Sequence, residues 1–245
     1  MNPSEKVKYI SNWIKSYVDQ MPNKAQSLVI GISGGIDSSV SSTLSAMTGL
    51  RTIVLSMPIK QKENQHDLSL KHQKWLVEKF KNVEAHTIEL DKLFEIFSST
   101  LNKFDNEHGF ANSRARLRMT TLYQVAAANK GIVVGTGNKV EDFGVGFYTK
   151  YGDGGVDISP IADCNKTEVW ELGKELGILK EIINAPPTDG LWDDGRTDEG
   201  QLGFKYEDLE DAMINPDSPH KAEYEKIRKQ NLHKMEPIPV CKIPS

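Results

Sequence analysis

Three short apolar runs constrain what this chain can fold into: residues 27–32 (Ser-Leu-Val-Ile-Gly-Ile), 52–55 (Thr-Ile-Val-Leu) and 131–136 (Gly-Ile-Val-Val-Gly-Thr). Each is too short for a helix and lacks the alternation of a half-buried strand, so each reads as a strand covered on both faces of a parallel sheet. A further strand is expected at 84–88, and helices at 36–48, 67–80, 90–104 and 113–129 fill the intervals. Such repeated strand–helix units predict an α/β fold, doubly wound, with a mainly parallel sheet flanked by helices. Residues 5–21 add an amphipathic helix whose stripe is Val7, Ile10, Ile14, Tyr17 and Val18.

The 245 residues accommodate one such domain, 1–245. Residues 138–157 are glycine-rich and polar, and are expected to form a functional loop. Asn165 is placed to cap a following helix that carries Val169, Leu172 and Leu176 on one face. The irregular stretch 184–202 holds two prolines, three glycines and five acidic residues and is long enough for a lid. A helical C-terminal segment is expected at 206–234, as helices 206–213 and 219–230 followed by an extended tail from 232.

Thirty basic against 34 acidic residues give a net charge of −4, which excludes a general electrostatic footprint for nucleic acid. No run approaches the roughly 18 apolar residues of a membrane span, and the charged N-terminus lacks a signal core, so a cytoplasmic protein is expected. Cys164 and Cys241 stand alone, with neither a CxxC pair nor a metal-spaced cluster.

Gly31-Ile32-Ser33-Gly34-Gly35-Ile36-Asp37-Ser38 joins an apolar strand to a helix, where backbone N–H groups and the helix dipole make an anion site suited to phosphate. It has neither the lysine of a Walker A loop nor the spacing of GxGxxG. Asp37 beside a bound phosphate calls for a cation, and Mg²⁺ binds through one or two carboxylates plus phosphate oxygens.

The loop SGGIDSS resembles that of the PP-loop ATP pyrophosphatases, which adenylate an acceptor by cleaving ATP between its α and β phosphates. Further segments follow in order: Asn112 to Met119 (NSRARLRM), Gly135 to Glu141 (GTGNKVE), Tyr148 to Gly155 (YTKYGDGG), Pro187-Thr188 and His233-Lys234. Together they resemble the ammonia-dependent NAD synthetases over about residues 31–234. The stretch from Glu141 to Lys150 is one residue longer than in the enteric type, and the 58–65 loop matches poorly, so adenine contacts are not assigned there.

This resemblance implies an adenine nucleotide alpha-hydrolase-like, Rossmann-like sheet, with ATP as co-substrate and Mg²⁺ as cofactor. It implies ATP contacts from Gly31, Ile32, Ser33, Gly34, Gly35, Ile36, Asp37, Ser38, Thr136, Lys166 and Thr188, with Asp37 and Glu141 as metal carboxylates. Lys166 would neutralise the departing pyrophosphate. Arg116, Lys150, Asp157, His233 and Lys234 would bind deamido-NAD. Arg116 is selected by resemblance alone, since Arg114, Arg116 and Arg118 splay over different faces of their helix.

The implied reaction is amidation of nicotinic acid adenine dinucleotide by ammonia through an acyl adenylate, giving NAD, AMP and pyrophosphate, in a homodimer. Asp153 is a candidate to capture ammonium and take its proton, although a turn-capping role fits equally well. Glutamine is not expected as donor, because an appended amidase domain would need a few hundred further residues and neither cysteine has a nearby His. Another PP-loop amidotransferase or sulfurtransferase, or a nucleotide sensor without turnover, are the alternatives.

Overall fold

The computed structural model describes residues 1–60, 63–188, 191 and 197–244, with only the backbone of 63–65. The elements are α1 (Pro3–Gln20), β1 (Ser27–Gly31), α2 (Ile36–Met47), β2 (Thr52–Ser56), α3 (Glu63–Lys79), β3 (Val83–Thr87), α4 (Asp91–Thr100), α5 (Glu107–Ala128) and β4 (Gly131–Val133). After a π-helical turn, Lys139–Val145, come α6 (Lys166–Leu176), α7 (Lys180–Ile183), α8 (Asp198–Leu202), α9 (Tyr206–Ile214) and α10 (Lys221–Met235).

The four strands are all parallel, in the order β3-β2-β1-β4. β1 pairs with β2 on one side and with β4 on the other; the chain runs outward from β1 through β2 to β3 and then crosses back to β4, so the strand order switches between β1 and β4. Ligands of open parallel sheets sit beyond the carboxyl ends of strands at such a switch point. A parallel bridge from Val134 to Ile158 extends the sheet past β4.

Side chains on β1 divide by parity, as strand geometry requires. Leu28 and Ile30 pack with α1, α2 and α6 through Ile14, Val40, Leu44 and Leu172, whereas Val29 enters the opposite layer with Phe94, Met119, Leu122 and Ala126 from α4 and α5. All of these are buried, which accounts for the missing alternation in the sequence. A third cluster, Val140, Val145, Tyr206, Leu209, Ala212 and Tyr224, docks the C-terminal helices on the π-helical turn.

Several expectations need correction. Tyr17 does not join the buried stripe of α1; it lies 41% exposed with its ring 5.9 Å from that of Trp13, while Ser11 is buried instead. α5 begins at Glu107 rather than 113, because Asn106 caps it by accepting from Gly109 N–H at 2.7 Å. The 138–157 segment is not all loop: residues 139–145 form a π-helical turn, which Gly146 closes in the left-handed region at φ 68°. α8 lies inside the expected lid, of which residues 189, 190 and 192–196 fall outside the described set, as do 61–62 of the 58–65 loop. His233 and Lys234 are not in an extended tail but on the last turn of α10.

Candidate active site

The loop after β1 turns sharply at Gly34, whose φ of 91° favours glycine. The loop is closed by its own hydroxyls: Gly35 N–H donates to Ser33 Oγ at 3.2 Å, and Ser38 Oγ donates to the Gly35 carbonyl at 3.1 Å. α2 starts immediately afterwards, with Asp37 in its first turn. The loop lines a cavity of about 360 Å³ together with Met57, Arg118, Thr136, Glu141, Lys166 and Thr188.

Asp37 meets two groups that are remote in sequence, Lys166 and Asn138. Lys166 Nζ donates to Asp37 Oδ2 at 2.6 Å and to Glu141 Oε1 at 2.9 Å, with the lysine side chain 2% exposed. Asn138 Nδ2 donates to Asp37 Oδ1 at 3.0 Å, while Asn138 Oδ1 accepts from the N–H groups of Val140 and Glu141, both at 3.1 Å. One buried amide therefore holds Asp37 and also caps the turn that carries Glu141. α6 presents Lys166 at its first position, with Asn165 as the expected cap and its N–H donating to Glu168 at 2.9 Å.

Burial pushes the Asp37 carboxyl up; the Lys166 ammonium opposes this and Glu141 adds to it. Burial also acts to raise Glu141, but Lys166 and the hydrogen bond from Tyr206 outweigh it and leave this carboxyl below its ordinary range. Burial acts to deprotonate Lys166, yet the two carboxylates reverse the effect and hold the ammonium above its usual pKa. Two carboxylates against one ammonium leave one negative charge in excess.

These residues fit a magnesium site. A single ammonium nitrogen touches an oxygen of each carboxylate, so Asp37 and Glu141 converge on a point where a cation is stable. Two carboxylates are the number that Mg²⁺ commonly takes from a protein beside phosphate oxygens and water; among the described residues no group of three acidic, histidine or cysteine side chains forms a metal cluster.

The positions read for the dinucleotide form a second group. Arg116, Lys150, His233 and Lys234 gather around the 147–155 loop: Arg116 Nε donates to the Lys150 carbonyl at 3.2 Å and Lys150 Nζ to the His233 carbonyl at 3.4 Å. Lys234 Nζ donates to the Tyr148 carbonyl at 2.9 Å. Asp157 sits apart from the cavity, with Oδ1 accepting from Tyr123 Oη at 3.0 Å and Oδ2 from Val133 N–H at 2.7 Å, a bracing role for β4. Asp153 has the turn-capping contact, Oδ1 accepting from Thr149 N–H at 3.0 Å, and it also lines the cavity. The three arginines do splay, and it is Arg118 that reaches the cavity, with Nε on the Met57 carbonyl at 3.0 Å.

Sequence reasoning missed Asn138, Asp142 and Tyr206. Asn138 carried a signal, an Asn ahead of a helical turn. Asp142 lines the cavity with its carboxyl pushed up to about 8 by burial and by Glu141, Asp153 and Asp37. Tyr206 carried none, since it opens a polar helix. Cys164 is buried, and that burial pushes its thiol up to about 11, away from a thiolate.

A profile of the NAD synthase family matches residues 6–243. The ammonia-dependent NAD synthetase of Carboxydothermus hydrogenoformans is 36% identical over 220 residues, covering 87% of this chain and 86% of its own. The NMN synthetase of Francisella tularensis superposes with a TM-score of 0.89 at 32% identity, covering 99% of this chain and 100% of its own. The fold is also that of the ammonia-dependent NAD synthetase of Campylobacter jejuni, with a TM-score of 0.80 at 24% identity over 99% of this chain and all of the other. Among the described residues no helix is long and apolar enough to cross a membrane. With the glycine loop, the GTGNKVE turn and the YGDGG loop converging on one cavity, the chain belongs to the ammonia-dependent NAD synthetase family of ATP-using ligases.

Proposed function

We propose that this chain amidates nicotinic acid adenine dinucleotide with ammonia, using ATP and giving NAD, AMP and pyrophosphate. The observation that carries the reading is the convergence of Asp37, Glu141 and Lys166 beside the glycine loop at the carboxyl end of β1. An oxygen of the nicotinate carboxylate attacks the α-phosphorus, the α–β bridging bond breaks, and pyrophosphate leaves with the bonding electrons. Ammonia then attacks the acyl carbon, AMP departs, and the nitrogen sheds a proton.

In this reading the loop 31–38 and Thr136 and Thr188 seat the nucleotide, and Asp37 and Glu141 hold Mg²⁺, which supplies charge compensation for the phosphates when bound. Lys166 keeps the two carboxylates within one buried centre. Arg116, Lys150, His233 and Lys234 seat the acceptor, with Asp157 stiffening the strand beside it. Asp153 faces the cavity and takes the ammonium proton. Free ammonia is the donor, in a cytoplasmic homodimer. The stripes of α1 and α5 are largely spent on the chain's own core, so they do not by themselves supply the dimer face.

A second acceptor, nicotinic acid mononucleotide, is favoured by the likeness to the Francisella NMN synthetase. AMP release measured with each acceptor, under ammonium and then under ammonia-free glutamine, decides between them. The dinucleotide with ammonium should give the highest kcat/KM. A higher value with the mononucleotide would transfer the assignment, and equal rates with glutamine would overturn the donor.

A further inference from the structure

Tyr206 lies outside every segment that carries the resemblance, yet it is fully buried against the metal-binding pair. It opens α9, an element that contributes no other group to the carboxylate centre. Its hydroxyl is 2.6 Å from Glu141 Oε1 and 3.4 Å from Asp198 Oδ2. A phenol has one proton, and the shorter contact places it on Glu141. Its ring centroid lies 4.8 Å from Lys166 Nζ, and Trp170 packs edge-on against the ring at 6.0 Å.

Glu141 Oε1 thus accepts from both Lys166 and Tyr206, which leaves Oε2 outside these two bonds. A carboxylate pinned through one oxygen has lost its side-chain rotation and offers the other in a fixed direction. Ligating carboxylates are commonly held by hydrogen bonds of this kind, and loss of such a partner weakens metal affinity by about 10- to 100-fold.

We propose that Tyr206 is a positioning residue for the metal–nucleotide site: its hydroxyl fixes the Glu141 carboxylate and its ring face seats the Lys166 ammonium. The proposal rests on the reading of Asp37 and Glu141 as the metal carboxylates. It also gives the C-terminal helices a role in catalysis, since α9 is docked on the π-helical turn through Leu209 and Ala212, which pack with Val140 and Val145.

The test is calorimetric binding of Mn²⁺·ATP to resting protein, with Mg²⁺ activation curves in parallel. Tyr206→Phe keeps the ring over Lys166 and against Trp170 and removes only the hydroxyl, while Glu141 Oε1 retains Lys166. It should raise the Kd for Mn²⁺·ATP and the Mg²⁺ activation constant about tenfold, with the KM for the nicotinate acceptor unchanged. In a Glu141→Gln background the same change should add less than twofold, because the hydroxyl then has no metal carboxylate to orient. Asp37→Asn is the control. If it leaves Mn²⁺·ATP binding intact, the reading of the site falls and takes this proposal with it. If Asp37→Asn weakens binding but Tyr206→Phe leaves both metal constants at wild-type values, the positioning role alone is overturned. Should Tyr206→Phe fail to fold, Tyr206→Trp and Tyr206→Met are measured in both backgrounds, and equal effects with and without Glu141 overturn the role.

Discussion

Two polar regions are buried against the same helix, α2, and they behave differently. At its N-terminal end, Asp37 joins Asn138, Glu141 and Lys166 in a charged centre with one negative charge in excess. One to two turns further on, Ser42 Oγ lies 3.0 Å from His72 Nε2, and nearby Ser56 and Ser69 share a 2.8 Å hydroxyl contact while Gln73 Nε2 donates to the His86 carbonyl at 2.9 Å. Among the described residues the second region carries no charged pair, and it stiffens the contact of α2, α3 and β2, with His72 Nδ1 and Ser41 Oγ buried without a hydrogen-bond partner. The first opens on the cavity, where the proposed Mg²⁺ would complete it. Burial of polar groups therefore does not identify a site; uncompensated charge beside a cavity does.

Asp37→Asn breaks the charged region most severely. It removes the excess charge while still accepting from Lys166, so the fold should survive and the adenylation rate should fall by roughly 10²–10³-fold, the range for losing a charge-stabilising group. ATP–pyrophosphate exchange measured on folded variant checks this, and near-normal exchange at limiting Mg²⁺ would remove Asp37 from the metal site.

Asn138→Ala should show how far the charged region depends on its neutral support. It deletes the cap of the π-helical turn and the donor to Asp37, so metal affinity should drop about 10- to 100-fold with a stability loss of about 1–2 kcal/mol. Urea unfolding beside a Mg²⁺ titration separates the two, and an unchanged Mg²⁺ dependence would confine Asn138 to structure.

The neutral region should answer to pH instead. Burial pushes the His72 imidazole down to about 4, against a weaker opposing effect of the Ser39 carbonyl. Because the folded value lies below the unfolded one, the stabilisation is fully present above about pH 6.5 and is lost as pH falls toward 4. The full effect is on the order of 3 kcal/mol. His72→Gln should flatten that part of the thermal stability profile between pH 7 and 5 without altering acceptor KM. Identical slopes in both proteins would show that His72 is not the titrating group.

Much of the fold was legible because its signals are local. Unbroken apolar runs gave β1, β2 and β4, and the glycine loop located the start of α2 at Ile36. α3 and α5 were placed with late starts, since Asn106 caps α5 ahead of the polar turn 107–112, which gives no apolar period to read. The π-helical turn was hard to read: GTGNKVEDFGVG has the glycine content of a loop, and beyond the Asn138 cap its helical path is supported by the packing of α9 and α10. Arg228 Nη1 donates to the Gly144 carbonyl at 2.9 Å and Asn231 Nδ2 to the Val145 carbonyl at 2.9 Å, supplying donors that no local pattern announces.

The sequence by itself determined the α/β class and the family, and it singled out residues 31–38 as the candidate phosphate loop. Those properties reside in short stretches where backbone freedom, helix period and motif order are written residue by residue. Tertiary structure alone decided that Lys166 would lie across both carboxylates, that Asn138 would serve two of them at once, and that Tyr206 would close the back of the centre. These contacts join positions separated by 129, 101 and 65 residues. The physical reason is that a buried charge is tolerated only where every partner arrives together, and that arrival is a property of how the sheet and helices pack.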